Sequence, residues 1–226
     1  MSADKKLAAA KAAIEYLPQA GVIGLGSGST AKLFIDLVGD LVRSGRKLTG
    51  VATSQDSRDQ AEALGIPLLS DSGPWQVDVC VDGADEVSRE LDVIKGGGGC
   101  QTREKIINFA SRFNIIIVDD SKLSEKLGMK WPVPVEVLSF AHATTRAHLE
   151  RLGSVKLRLR NGAPWMTDAG NFIYDVSLGV IADPAATDQR LRALPGVVET
   201  GLFIQRANVV LVAAAEGIRK LTPSAP

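Results

Sequence analysis

The sequence predicts an α/β fold: a doubly wound, mostly parallel sheet domain with a second, ferredoxin-like α+β domain. Three observations carry this. Through the first 130 residues short apolar runs alternate with amphipathic helical patterns, as expected of β-α-β units and a parallel sheet. Two prolines within three residues, in Lys130-Trp-Pro-Val-Pro134, then interrupt the pattern. Beyond them the order strand, helix, strand, strand, helix, strand is that of a ferredoxin-like unit.

The first helix is expected at 4–17, with Leu7, Ile14 and Leu17 on a broad face padded by alanine. A short apolar strand, 22–25, runs into glycines. Leu33, Phe34, Leu37, Val38 and Leu41 form one stripe of a helix over 30–43, which Gly45 ends. Strands are expected at 48–52, 66–69 and 77–82, with a polar helix at 55–64 between the first two. A helix over 102–112 leads to a buried-type strand at 115–118. After the prolines come strand 133–138, helix 143–152, strand 155–160, a turn at Asn161-Gly162 and a strand near 171–176. Asp183 before Pro184 opens the next helix, because an acidic N-cap and a proline at the first helical position both suit a helix start. The last strands are 197–203 and 209–213, the second of which can return to the first sheet. The tail from Thr222 is expected to fray.

Composition narrows the function classes. At roughly 150 residues per domain, 226 residues make one large domain or one and a half. Apolar residues at 45% supply a core that needs no disulfide or metal staple. The 26 Lys and Arg balance 26 Asp and Glu, so neither nucleic acid nor a membrane surface is an expected partner. Aromatic residues, at 5%, are too few for stacking platforms. Cys80 and Cys100 form neither a disulfide framework nor C-x-x-C, so a reduced, cytoplasmic setting is the expectation. No apolar run approaches the roughly 18 residues of a membrane helix. Lys11 and Glu15 interrupt the alanine-rich start, which reads as a retained helix rather than an export signal.

Glycine is concentrated in two places. The first is Gly24-Leu-Gly-Ser-Gly-Ser-Thr30, between a strand and a helix. Glycines allow close backbone approach, and N–H groups at a helix start favour an anion. Ser27, Ser29 and Thr30 add hydroxyls. Gly26, Gly28 and Ala31 satisfy the dinucleotide pattern G-x-G-x-x-A, but the second strand ends in Ala52-Thr53-Ser54 where a ribose-binding acid belongs. No Gly-Lys-Ser/Thr follows, which excludes a P-loop. A phosphate or sugar cradle is the favoured reading, with a ligand-free turn as its alternative. The second run is Ile94-Lys-Gly-Gly-Gly-Gly99, followed by Thr102-Arg-Glu104 at a helix start. Lys95 falls at a strand end, where open α/β sheets bind ligands. The positive end of the helix favours ionised Glu104, as a base requires, although a glutamate there also simply complements the dipole.

Between the runs lies Val81-Asp-Gly-Ala-Asp-Glu86. Three carboxylates so close repel one another unless cations or donors compensate them. A solvated turn, a magnesium site and neutralisation by Lys95 all remain open. His142 and His148 are six residues apart, on different helix faces, and make no metal pair.

Taken together, these segments resemble the A-type ribose-5-phosphate isomerase family. Residues 24–30, 81–87 (Val-Asp-Gly-Ala-Asp-Glu-Val) and 95–105 (Lys-Gly-Gly-Gly-Gly-Cys-Gln-Thr-Arg-Glu-Lys) carry the likeness. So do Val-Asp-Asp-Ser-Lys (118–122), Pro-Val-Pro-Val-Glu-Val (132–137), Thr-Asp-Ala-Gly-Asn (167–171) and Pro-Gly-Val-Val-Glu-Thr-Gly-Leu-Phe (195–203). Ser27 stands where many members have Thr, which keeps a hydroxyl, and Gly99 where Ala is common, which loosens a turn.

The resemblance implies interconversion of D-ribose 5-phosphate and D-ribulose 5-phosphate in the non-oxidative pentose phosphate pathway, through a cis-enediol and without metal or cofactor. It implies Glu104 as the base and Lys95 as the charge facing the oxyanion. Asp82 and Asp85 would bind sugar hydroxyls, with Asp82 also moving protons between oxygens. Ser27, Gly28, Ser29 and Thr30 would hold the distal phosphate with Lys122 and, by position only, Lys6. Gly83, Ala84, Gly96, Gly97 and Gly98 would line the substrate. It further implies a Rossmann-like catalytic domain (1–130 plus 204–226), a ferredoxin-like domain (131–203) that shields the site or forms an interface, and a homodimer or homotetramer. A sugar-phosphate sensor, as in transcriptional regulators, would need a DNA-binding module, for which the stretch before the first strand is short. A CoA-transferase-like enzyme would need a nucleophilic glutamate and room for CoA.

Overall fold

The computed structural model describes residues 3–223; residues 1, 2 and 224–226, the end of the tail expected to fray, lie outside the described residues. In chain order the elements are α1 (Ala3–Ile14), β1 (Ala20–Leu25), α2 (Gly28–Arg43), β2 (Lys47–Ala52), α3 (Gln55–Ala63), β3 (Val77–Asp82), β4 (Glu86–Val87), β5 (Val93–Ile94), α4 (Gln101–Ala110) and β6 (Ser111–Asp119). There follow β7 (Val133–Val137), α5 (His142–Leu149), β8 (Ser154–Leu157), β9 (Leu159–Arg160), β10 (Ala163–Pro164), β11 (Phe172–Ser177), α6 (Pro184–Arg192), β12 (Val197–Thr200), β13 (Leu202–Phe203), β14 (Val209–Ala214) and β15 (Gly217–Leu221).

The chain forms two units. The first takes residues up to Ala84, Arg103–Lys122 and residues from Gln205 on; the second takes Asp85–Thr102 and Leu123–Ile204. The second therefore includes more chain than the 131–203 expected from the prolines: in the 85–102 excursion the short strand β4 pairs with β5, and β5 pairs in turn with β13.

The first unit is built on a six-stranded sheet of order β15-β14-β6-β3-β1-β2, parallel except for the edge strand β15. Its central strands are almost wholly apolar because both faces are covered. Ile23, Leu25, Val79, Val81, Ile115 and Ile117 meet Ala9 and Ala13 of α1, Phe34, Ile35 and Val38 of α2, and Ala61 of α3. Cys80, one residue out of phase, packs instead with Ile107 of α4. Helices on both faces make the sheet doubly wound, as predicted, and β14 does return beside β6.

The predicted strand at 66–69 shrinks to a single bridge between Leu68 and Gly50. Pro67 has no N–H to give a ladder, and its carbonyl accepts only the Gly50 N–H, at 2.7 Å. The helix expected to reach 112 stops at Ala110, where the chain at once begins β6.

The second unit carries a four-stranded antiparallel sheet of order β12-β7-β11-β8. With α5 between β7 and β8 and α6 between β11 and β12, this is the ferredoxin-like arrangement. Tyr174, Val135, Val137, Leu149 and Leu191 fill its core. The strand expected at 155–160 breaks at Arg158, and the strand expected at 197–203 breaks at Gly201. There the backbone changes sheets: Gly201 donates to the Pro134 carbonyl at 2.7 Å and accepts from the Lys95 N–H at 2.9 Å. A side chain at 201 would overlap the Lys95 carbonyl oxygen. Replacement Gly201→Ala is thus expected to lower stability by about 1–3 kcal/mol, read as a lower urea midpoint; an unchanged midpoint contradicts this packing.

Candidate active site

The strand order reverses between β1 and β3: β2 lies on one side of β1, and the rest of the sheet on the other. Crevices at the carboxyl ends of such strands are where open α/β sheets take ligands. The ends of β1, β3 and β6 lead here into the 26–30 loop, Asp82 and the short 3-10 turn Asp120–Lys122. The helix α4 runs down to the start of β6, so its first turn, with Glu104, lies toward this same edge.

Asp82 is 3% exposed, and its Oδ1 accepts the backbone N–H of Ser27 at 2.9 Å and of Gly83 at 2.8 Å. The Gly26 N–H meets the Val81 carbonyl at 3.0 Å. Any Cβ at Gly26 would overlap the Asp82 carboxylate, so only glycine lets the loop close here. Ser27 precedes α2 in extended conformation but makes no side-chain cap; its hydroxyl lies 2.6 Å from Thr53 Oγ1. Because the Thr53 hydroxyl donates to the Leu25 carbonyl at 3.0 Å, Ser27 is the donor to Thr53. Buried Thr53 stands at the end of β2, where a dinucleotide-binding protein presents an acid. The glycine loop is thereby tied to its neighbour by hydroxyls, and the dinucleotide pattern has no ribose partner. Lys6 of α1 reaches the loop, its ammonium 2.8 Å from Ser29 Oγ. Its neighbour Lys5 donates to Asp120 at 2.9 Å, a hydrogen bond that holds that carboxyl below the usual range. Glu104 is 5% exposed in the first turn of α4.

In the second unit Asp85 and Lys95 sit on either side of the β4–β5 hairpin. The Asp85 N–H donates to the Ile94 carbonyl at 2.8 Å, and its Oδ2 accepts the Gly97 N–H at 2.6 Å. A Cβ at Gly97 would stand 2.6 Å from Asp85 Oδ1. Lys95 is 3% exposed, with its ammonium 5.6 Å from the centre of the Phe203 ring. Gly96 and Gly99 take φ of +101° and +77°, a left-handed geometry that only glycine adopts freely. Gly98 is exposed and open to solvent, and Cys100 is half-buried. Gln101 is fully buried beside Gly96, and its amide has no hydrogen-bond partner among the described residues.

The three neighbouring carboxylates prove to have separate duties. Glu86, also fully buried, turns away and accepts the N–H groups of Gly128 (2.9 Å), Lys130 (3.0 Å) and Trp131 (3.3 Å). Backbone donors therefore compensate Asp82, Asp85 and Glu86 one by one. Among the described residues no three His, Cys, Asp or Glu side chains gather as a metal site. His142 bonds the Tyr174 hydroxyl at 2.7 Å and packs edge-on to Phe172, a structural role. Thr53, Gly201 and the Arg158–Asp175 pair beside the glycine run escaped the sequence reading. Thr53 had left a trace there, as an acid missing from its expected place, and Gly201 lay unremarked within the 195–203 segment.

A buried carboxylate and a glycine-rich loop at the switch point of a doubly wound sheet are features of α/β proteins that take small ligands there. Comparison with known proteins narrows the class. Residues 49–217 match the family model of ribose 5-phosphate isomerase A (phosphoriboisomerase A). Ribose-5-phosphate isomerase A of Gloeobacter violaceus is 46% identical over 222 residues, 97% of this chain and 96% of the relative. A ribose 5-phosphate isomerase from Plasmodium falciparum superposes with a TM-score of 0.94 at 35% identity over 100% of both chains. A D-ribose-5-phosphate isomerase solved in complex with phospho-erythronic acid gives 0.93 at 38% identity, over 97% of this chain and 98% of its own. The chain belongs to the ribose 5-phosphate isomerase A family. No helix of the described residues is long and apolar enough to cross a membrane.

Because Gly26 admits no side chain beside Asp82, Gly26→Ala is expected to displace the 26–30 loop. KM for ribose 5-phosphate should rise about tenfold, roughly 1.4 kcal/mol of binding. Steady-state assays showing a wild-type KM would contradict the expectation that this loop holds the substrate.

Proposed function

We propose that the chain interconverts D-ribose 5-phosphate and D-ribulose 5-phosphate through a cis-enediol, with Glu104 as the base. The observation that most supports this is the carboxyl edge of the parallel sheet, where the 26–30 loop, buried Asp82 and the first turn of α4 converge. The N–H groups and hydroxyls of Ser27, Gly28, Ser29 and Thr30, with Lys6 and Lys122, hold the phosphate, as the positive end of a helix favours an anion. Gly83, Ala84, Gly96, Gly97 and Gly98 offer close backbone approach to the sugar.

Glu104 removes the C2 proton of the open-chain aldose, the C2–H electron pair forms the C1–C2 double bond, and the carbonyl pair moves onto O1. The Lys95 ammonium stabilises that oxyanion; groups in this role commonly contribute about 3 kcal/mol to lowering the barrier. Asp82, with Asp85 binding the sugar hydroxyls, carries a proton from O2 to O1. Glu104 then returns its proton to C1, leaving a C2 ketone, and no electron acceptor is consumed. Ring opening of the furanose uses Asp82 in the same capacity. The protein works as a homodimer or homotetramer in the cytoplasm. Exposed Phe109 and Ile106 on α4, and Phe140 after β7, support this as apolar surface that another copy would cover.

Ketopentose phosphate should appear from ribose 5-phosphate at the same rate with and without EDTA; inhibition that magnesium reverses would count against the mechanism. Glu104→Gln should cut kcat about 100-fold or more while leaving KM nearly unchanged, and undiminished turnover would remove Glu104 as the base. Lys95→Ala should lower kcat by about 10²-fold and weaken binding as well.

A further inference from the structure

The segments 132–137 and 167–171 carry much of the family resemblance, yet the chemistry above uses neither. Buried Glu136 connects them. It lies on β7, which is paired on both sides, and is 1% exposed. A carboxylate so far from water needs protein donors for its lone pairs. Oε1 accepts from Thr167 Oγ1 at 2.8 Å and Asn171 Nδ2 at 2.9 Å, while Oε2 accepts from the Thr102 hydroxyl. Thr167 and Asn171 are held in step by their own turn, with the Thr167 N–H on the Asn171 carbonyl at 2.9 Å and the Asn171 N–H on Thr167 Oγ1 at 3.2 Å. Thr102 is the second residue of α4, two before Glu104.

A second hold acts on the preceding backbone. Arg158, at the break between β8 and β9, donates from Nη1 to the Gly96 carbonyl at 2.6 Å and to the Gly97 carbonyl at 3.3 Å. Its other face is forked onto Asp175, through Nε at 3.0 Å from Oδ2 and through Nη2 to Oδ1. Such a bidentate pair fixes the guanidinium plane and leaves the remaining N–H groups aimed. Between the two holds lies the stretch 96–102, rich in glycine, which by itself has the highest conformational entropy available to a chain. Lys95 immediately precedes it and Glu104 follows.

We infer that Glu136, through Thr102, and Arg158, through the glycine carbonyls, are positioning residues that pin the two ends of the 96–102 segment. They thereby set where Lys95 and the first turn of α4 stand. The inference rests on the isomerase reading above, in which Lys95 and Glu104 do the chemistry.

The test uses full-length protein and steady-state kinetics with ribose 5-phosphate. Thr102→Val keeps the shape and removes the hydroxyl; kcat should fall between about 10- and 100-fold, with KM changed less than about threefold. Thr102→Ser restores the hydroxyl and should bring kcat back to within about threefold of wild type. Wild-type kcat in Thr102→Val overturns the inference, and so does an equal loss in the Val and Ser variants, since the hydroxyl is then not the cause. Should Thr102→Val not fold, Arg158→Lys, which keeps the charge without the fork, decides by the same split between kcat and KM. The parent reading fails separately: if Glu104→Gln is fully active, or the wild type makes no ketopentose phosphate, the isomerase assignment itself falls. An inactive Glu104→Gln beside a fully active Thr102→Val removes only the positioning role.

Discussion

The arrangement of the first unit depends on one acceptor, the Oδ1 of Asp82, which takes two backbone N–H groups from separate stretches of chain. One comes from Ser27, at the end of β1, and the other from Gly83, where β3 finishes. Two neighbouring parallel strands are thereby tied at the point where the strand order reverses. The bond requires that nothing stand between carboxylate and loop, hence Gly26. It also leaves the Ser27 side chain free to turn to Thr53 rather than cap α2.

Around this tie the electrostatics are local. A chain with equal numbers of acids and bases has no net charge to draw an anion from a distance. Lys6 beside Ser29, the start of α2, and Lys122 in the turn after β6 place positive groups where these strands end. Asp82, Asp85 and Glu86 each accept backbone N–H groups. Charged groups of both signs thus stand at the strand ends of a chain whose overall charge is zero.

Much of this was legible in the sequence, because it rests on periodicity and on glycine. Alternating apolar runs foretold the parallel sheet, the order after Pro132 foretold the antiparallel one, and the glycine runs marked the loops. What stayed hidden depends on partners distant along the chain. Nothing near Gly201 announces that a strand changes sheets there, since the cause is its contact with Pro134 and Lys95. Glu136 reads as an ordinary polar residue on a strand until Thr102, Thr167 and Asn171 are seen to converge on it. The strand expected at 66–69 failed because an apolar composition outweighed Pro67 in the reading, whereas a missing N–H outweighs composition in a ladder.

The first unit is discontinuous: its chain departs at Ala84, rejoins at Arg103, departs again after Lys122 and returns at Gln205. Its strand β14 sits inside the sheet, between β6 and β15. On the ribosome the apolar run Ile115–Val118 therefore emerges long before the strand that covers its edge. The antiparallel sheet, encoded between 133 and 200, is complete first. At about 5–20 residues per second the open edge of β6 persists for several seconds, long enough for a chaperone, or another nascent chain, to find it.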